Sequence, residues 1–310
     1  MRGFRRLAGA AVLFTFVLIV LGAVVRGTGS GLACPDWPRC YGLWLPTPAE
    51  IGATDYSFGQ VMLEWSHRLI AGFVVGPLVL ALLIWAVRRR HEMRGPAPIM
   101  GVAFILVLIQ AGLGGFTVLD QNSPLSVAVH LATALVFLAV LILVFLVSKR
   151  HSGLDATPEP VPPGLRAAAG LTLAAALAVV TSGAVVAKSG ASLACTGWPL
   201  CAGLALPDLG DPLVRLHFGH RLLALVAAVF IGGLYLAGRA RRWEAPMFHR
   251  DARAAGVLLL TEVGVGAGVI FASAPLWLAV VHQAVGILVF AALAVAFLRP
   301  FVRRQRFGHG

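Results

Sequence analysis

Eight apolar runs, each long enough to cross a bilayer as a helix, occupy most of the 310-residue chain. A hydrocarbon core about 30 Å thick takes roughly 20 helical residues to span. Hydrophobic residues make up 59% of the chain and charged residues only 12%, which excludes a soluble domain. The sequence therefore predicts an all-α integral membrane protein. The predicted spans are 7–25, 65–87, 97–118, 126–147, 167–187, 217–238, 254–273 and 277–298.

The net charge of +12 reports membrane topology. Most of the Lys and Arg residues fall at the two ends of the chain and in the connections around 88–94, 149–166 and 239–253. By the positive-inside rule these segments are cytoplasmic, so both termini are expected on the cytoplasmic side of a cell membrane. Binding to nucleic acid is a poor explanation of this distribution of positive charge, and we expect the protein to be surrounded by membrane lipid.

The two halves of the chain carry the same motifs in the same order. The matches are Gly22 with Gly183, Cys34 with Cys195, Cys40 with Cys201, His67-Arg68 with His220-Arg221, Gly114 with Gly266 and His130 with His282. Each half has four predicted spans. We therefore predict two tandem four-helix bundles related by a pseudo-two-fold axis along the membrane normal. They comprise residues 1–150 and 167–310, joined by a proline-rich cytoplasmic linker, 151–166.

Four histidines stand at matched positions, His67 and His130 in the first half and His220 and His282 in the second. Each lies in the first part of an even-numbered span, which places all four near the outer face. One imidazole from each of two facing helices is an arrangement that ligates haem iron. A single membrane histidine is more often a hydrogen-bonded packing residue, but four matched ones favour two haem sites. Two histidines per bundle fall short of a zinc site.

The stretch Glu64-Trp65-Ser66-His67-Arg68 places an acid and an imidazole on one helix face. The second half repeats it as His217-Phe218-Gly219-His220-Arg221, with a histidine in place of the acid. Glu64 can be a proton relay, a stabiliser of charge in a reaction at a haem, or an ion partner for Arg68. Because only the first half has this acid, that half is the candidate for chemistry.

The remaining residues of this stretch leave two alternatives open. Arg68 and Arg221 can reach water as topology anchors or pair with the carboxylates of a porphyrin. Either His217 or His220 can be the iron ligand of the second half. We choose His220 because it aligns with His67 and precedes the matching arginine.

The four cysteines form two pairs with identical spacing, Cys34 with Cys40 and Cys195 with Cys201. Both pairs lie in long outer loops, where disulfides persist, and we predict one disulfide within each loop. Such a bond either staples the loop over the histidine site or has a redox role of its own. Metal binding is a weaker option, because the spacing is not that of a zinc site.

Two of these stretches resemble those of a known family. The residues Glu64-Trp65-Ser66-His67-Arg68 resemble the E-x-x-H-R motif of the haem A synthases. The stretch from Gly31 to Cys40 resembles the first outer loop of the cysteine-containing bacterial members. The eight spans and the four histidines extend the resemblance over nearly the whole chain.

The resemblance implies an enzyme of the bacterial cell membrane that oxidises the C8 methyl group of haem O to the formyl group of haem A, the cofactor of terminal oxidases. It implies substrate haem O on His67 and His130 and a haem b cofactor on His220 and His282. It also implicates Glu64 in the reaction and links Cys34 and Cys40 to function. A haem O synthase is the expected upstream partner, and an unidentified electron acceptor is implied.

Two other function classes fit a membrane protein with paired histidines. A bis-histidine b-type cytochrome for electron transfer would carry haems in both halves, but with both histidine pairs near the outer face, no haem site lies near the inner face to receive an electron. A haem or solute transporter would also use repeated bundles, but its site is expected at the midplane. Both therefore rank below haem modification.

Overall fold

The computed structural model describes residues 2–52, 54–93, 95–151 and 159–302. These residues are almost entirely helical, and eight of the helices are long and apolar enough to cross a membrane. This confirms the predicted all-α membrane fold. The membrane helices are α1 Arg2–Gly27, α2 Phe58–Arg88, α3 Pro96–Leu119, α4 Pro124–His151, α5 Pro163–Lys188, α6 Pro212–Ala240, α7 Pro246–Phe271 and α8 Leu276–Leu298.

Several helices extend beyond the apolar runs that predicted them, because polar caps lengthen them. Helix α2 begins at Phe58, well before the predicted start at 65. Ser57 accepts a hydrogen bond from the backbone N–H of Gln60, and the Gln60 side chain accepts one from Ser57 in return. This capping box satisfies donors that the first turn leaves free. Helix α5 likewise begins at Pro163, inside the predicted linker, where proline suits the first turn.

Helix α2 contains a π-helical segment, Ile70–Val75, directly after His67 and Arg68. Pro77 follows this segment by two residues. A proline inside a helix has no N–H and its ring crowds the carbonyl one turn earlier, so a locally widened helix accommodates it. The matching position in α6 is Phe230, and α6 runs as an uninterrupted α-helix. The two halves therefore differ in the helix that carries the first histidine of each pair.

The helices pack in two rings. In the first half α1 contacts α2, α2 contacts α3, α3 contacts α4 and α4 contacts α1; helices α5 to α8 make the same set of contacts in the second half. Helices α4 and α8 contact each other, α4 also contacts α5, and α1 also contacts α8, which joins the halves. Arg26 of α1 donates to Gln283 of α8 at 2.5 Å across this junction. The pseudo-two-fold relation between the rings, and the domain boundaries, stay predictions.

Part of the predicted linker is described, and it docks on the second half. Residues 152–158 lie outside the described residues. The carboxylate of Glu159 accepts hydrogen bonds from the backbone N–H groups of Met247 at 2.6 Å and Phe248 at 2.9 Å. These are free donors in the first turn of α7, where a negative charge also complements the helix dipole. The linker thus caps a helix that is distant in sequence.

Replacing Glu159 with alanine is expected to destabilise the protein by about 1 kcal/mol, the usual cost of losing a helix cap. The measurement is thermal unfolding of purified protein in detergent. Glu244 provides the control, because its side chain is exposed near the same helix end. Equal unfolding temperatures for Glu159→Ala and Glu244→Ala would contradict a capping role.

Candidate functional site

The two disulfide loops lie between α1 and α2 and between α5 and α6, and they are built alike. Disulfides join Cys34 to Cys40 and Cys195 to Cys201, as predicted. Each loop leaves its first helix through a glycine with a left-handed backbone, Gly29 or Gly190, a conformation that side chains rarely adopt. A short 3₁₀ turn follows in both loops. The loops therefore present their cysteines to the next helix in the same way.

In the first half, Glu64 and Arg68 hold this loop from one face of α2. Oε2 of Glu64 accepts a hydrogen bond from the backbone N–H of Cys34 at 2.8 Å, and its Oε1 is ion-paired with Arg68. Arg68 also donates to the carbonyl of Cys34 at 2.9 Å and to that of Arg39 at 2.6 Å. The acid is 5% exposed, so its charge is neutralised within the protein and not by water.

In the second half, His217 and Arg221 make the corresponding contacts. Nδ1 of His217 accepts from the backbone N–H of Cys195 at 3.3 Å. Arg221 donates to the carbonyl of Cys195 at 2.7 Å and to that of Leu200 at 3.1 Å. His217 is also 5% exposed. His217 therefore occupies the structural place of Glu64, and both arginines donate to loop carbonyls.

The four matched histidines each lie against a glycine of the preceding helix. A Cβ placed on that glycine would approach the ring within 3.4 Å for Gly22 and His67, 3.6 Å for Gly114 and His130, 3.2 Å for Gly183 and His220, and 2.9 Å for Gly266 and His282. A Cβ at Gly266 would force the imidazole to shift and one at Gly183 would crowd it, whereas at Gly22 and Gly114 it would contact the ring at about van der Waals distance. The repeated glycines thus leave the space in which the rings sit.

The matched histidines of each half lie near one another. His67 is close enough to His130 for their charges to interact, and His220 is close enough to both His282 and His217. In the described ranges, no three His, Cys, Asp or Glu side chains come together as a metal site. The pairing of these imidazoles on iron stays a prediction.

A porphyrin iron fits these pairs. Nδ1 of His130 is buried and has no hydrogen-bond partner in the described part of the chain. This imidazole is therefore not locked into the protein by a hydrogen bond at Nδ1, and its ring can adjust to a bound group. Neutral imidazoles held in glycine notches between helices are suited to axial ligation.

The first disulfide loop also touches α3 beside the histidine site. The indole of Trp37 lies over Gly115, next to the glycine that receives His130; a Cβ on Gly115 would be 3.1 Å from the ring. The side chain of Asn122, in the α3–α4 turn, donates to the carbonyl of Gly31 at 2.5 Å. This loop therefore covers the end of the bundle near His67 and His130.

Sequence reasoning missed a second acid within the membrane helices. Glu262 of α7 places Oε1 at 3.1 Å from Nδ1 of His282. Its signal was present in the sequence, because it is a carboxylate inside the apolar run 254–273. Ser182, whose hydroxyl lies 2.8 Å from Nδ1 of His220, carried no comparable signal. Serine is common in membrane helices, so only the structure identifies this contact.

Comparisons with known proteins show the family to which this chain belongs. A family model described as COX15-CtaA, cytochrome oxidase assembly protein, matches residues 5–294. A haem A synthase of Symbiobacterium thermophilum is 35% identical over 268 residues, which cover 84% of this chain and 83% of that protein. One from Geobacillus kaustophilus is 30% identical over 288 residues, covering 91% and 86%. One from Exiguobacterium sibiricum is 31% identical over 304 residues, covering 96% and 95%. The chain therefore belongs to the COX15-CtaA family, together with the bacterial haem A synthases.

Proposed function

We propose that this membrane protein oxidises the C8 methyl group of haem O to the formyl group of haem A. The observation that carries the proposal is the pair of matched histidine sites, of which only the first has Glu64 bonded into the loop above it. Membership of a family whose relatives are haem A synthases supports the same reaction. The conversion of methyl to formyl adds one oxygen atom; with water as the oxygen source it releases electrons and protons, so an electron acceptor takes part.

In this proposal the first half binds the substrate. His67 and His130 hold the iron of haem O, and the Cys34–Cys40 loop excludes water from above through Trp37 and Asn122. Glu64 is the catalytic acid, since it is a buried carboxylate one helical turn from His67. Its bonds to Cys34 and Arg68 fix its position before substrate arrives.

The second half holds a resident haem b on His220 and His282. A bound haem supplies a redox-active iron that can accept electrons. The protein orients the two imidazoles through Gly183 and Gly266 and closes the site with the Cys195–Cys201 loop. Arg68 and Arg221 place their charges beside the two loops, where the carboxylates of a haem would meet them.

We also propose that both termini are cytoplasmic and that both haem sites lie near the outer face. The positive residues near the ends of the chain support this orientation. The two disulfides support it too, because an oxidising compartment preserves them. Haem O arrives from a haem O synthase in the same membrane.

Replacing Glu64 with histidine copies the second half into the first. The loop contact to Cys34 is retained in kind, as His217 shows, but the carboxylate is lost. Haem A formation is expected to fall by about 10²-fold or more while haem is still bound. The measurement is co-expression with a haem O synthase, followed by chromatography of the extracted haems.

The matched control for this substitution is His217→Glu, which is expected to leave haem A formation within a few-fold of the parent. Normal haem A yield from Glu64→His would contradict a catalytic role for the acid. Accumulation of unmodified haem O by the folded, haem-loaded parent protein would overturn the proposed reaction itself.

Replacing His220 with alanine is expected to remove the second-half haem, whereas His217→Ala should retain it. The reason is that Nδ1 of His217 already accepts a hydrogen bond from the Cys195 N–H, which ties this ring to the loop. His220 instead lies against Gly183, close enough to His282 for their charges to interact. The pyridine haemochrome of purified protein reports the haem content. Loss of haem in His217→Ala alone would reverse the ligand assignment.

Replacing Gly266 with valine is expected to lower haem content, because added atoms would displace the ring of His282. Gly264→Val is the matched control on the same helix, since a Cβ there meets nothing within 4 Å. The same haem assay checks the pair. Equal haem content in both variants would show that the glycine notch does not govern ligation.

A further inference from the structure

Glu262 is an acid in the middle of α7, a helix that otherwise fits lipid. Its Oε2 is buried and has no hydrogen-bond partner in the ranges that the structure describes. A carboxylate in such a segment is costly, and it faces the bundle interior or finds a partner there. Glu262 lies next to His282, a proposed iron ligand, and its role is inferred from this contact.

The partner of Glu262 is His282. Oε1 lies 3.1 Å from Nδ1 of the imidazole, an ion-pair distance. This buried nitrogen makes no hydrogen bond among the described residues, so the carboxylate is the polar group beside it. The two helices are shaped around the contact. Gly266 of α7 leaves room for the ring, and Gly286 of α8 leaves room for the carboxylate; a Cβ on Gly286 would be 2.8 Å from Oε1.

The other histidine of the second half also has an oxygen at Nδ1. The hydroxyl of Ser182 lies 2.8 Å from Nδ1 of His220. An imidazole whose Nδ1 is held by an oxygen presents Nε2 to a metal, and its ring orientation is fixed. Both imidazoles of the second pair therefore have a side-chain oxygen close to Nδ1, one from α5 and one from α7.

The first half lacks both of these side chains. By the matches of Gly22 with Gly183 and of Gly114 with Gly266, the positions of Ser182 and Glu262 correspond to Leu21 and Gln110. Nδ1 of His130 and Nδ1 of His282 both lack a hydrogen bond in the described ranges, but of the two only His282 has a carboxylate oxygen 3.1 Å away. The two sites thus differ in the charge placed beside Nδ1.

We propose that Glu262 is a positioning residue of the second-half haem site, where its carboxylate accepts a hydrogen bond from Nδ1–H of His282 when haem is bound and turns Nε2 toward the iron. This inference rests on the proposed function, since it assumes a haem in that half. The negative charge beside the imidazole would strengthen it as a donor and favour the oxidised iron, which would lower the reduction potential of that haem. A charged partner beside one ligand suits a resident cofactor, and the first pair, which has no such partner, suits a haem that enters and leaves.

The test compares Glu262→Gln and Glu262→Leu in a His67→Ala background, so that the purified chain carries only the second-half haem. The readouts are haem content and a potentiometric titration followed by absorbance. Glutamine can still accept a hydrogen bond from Nδ1–H but carries no charge. We therefore expect haem to remain bound and the midpoint potential of that haem to rise. Leucine removes both functions, so the potential should rise and haem content should fall.

Gln110→Leu in the same background is the matched control, and it should leave both readouts unchanged. An unaltered midpoint potential in Glu262→Gln would overturn the proposal, whatever becomes of the leucine variant. Failure of the proposed function looks different: the parent would carry no haem that His220→Ala removes. A shifted potential with normal haem content separates positioning from a purely structural role, which would alter stability alone.

Discussion

An imidazole within a membrane helix needs space and polar partners, and this protein supplies both from the neighbouring helix. Each matched histidine lies against a glycine one helix earlier in the chain, so four helix pairs repeat one contact. Glycine leaves room for the ring at the helix interface, within the protein and away from lipid. The depth and facing of the histidines, and hence of any bound porphyrin, follow from these four glycines.

A second constraint operates at the loop end of each bundle. There an arginine one residue after the histidine donates to carbonyls on both arms of the disulfide loop, and a buried side chain three residues before it accepts from the first cysteine. The loop, the disulfide and the histidine are therefore mechanically joined through one helical turn. Movement of the loop would therefore shift the histidine on the same helical turn, and the disulfide limits that movement.

Much of this arrangement was predictable because the length of apolar runs and the position of cysteines in a membrane protein are read directly from the sequence. The eight spans followed from apolar length, and the disulfides followed from repeated cysteines in loops. The start of α2 was placed too late, since Ser57 and Gln60 extend the helix through polar residues that a hydropathy reading discards. The π segment depends on how Pro77 is accommodated, and the role of Glu262 depends on which way α7 faces. Spacing along one helix carries neither kind of information.

The differences between the halves point in one direction. The scaffold contacts are kept in both: histidine on glycine, arginine on the cysteine carbonyl, and an acceptor for the cysteine N–H. What changes is the placement of charge. The first half has Glu64 at the loop, ion-paired with Arg68, whereas the second has Glu262 beside His282. Under the proposed function, the first carboxylate meets the substrate and the second acts through the imidazole. The proposed roles of the two halves, reaction with a haem and retention of a haem, rest on this difference in the placement of one acid.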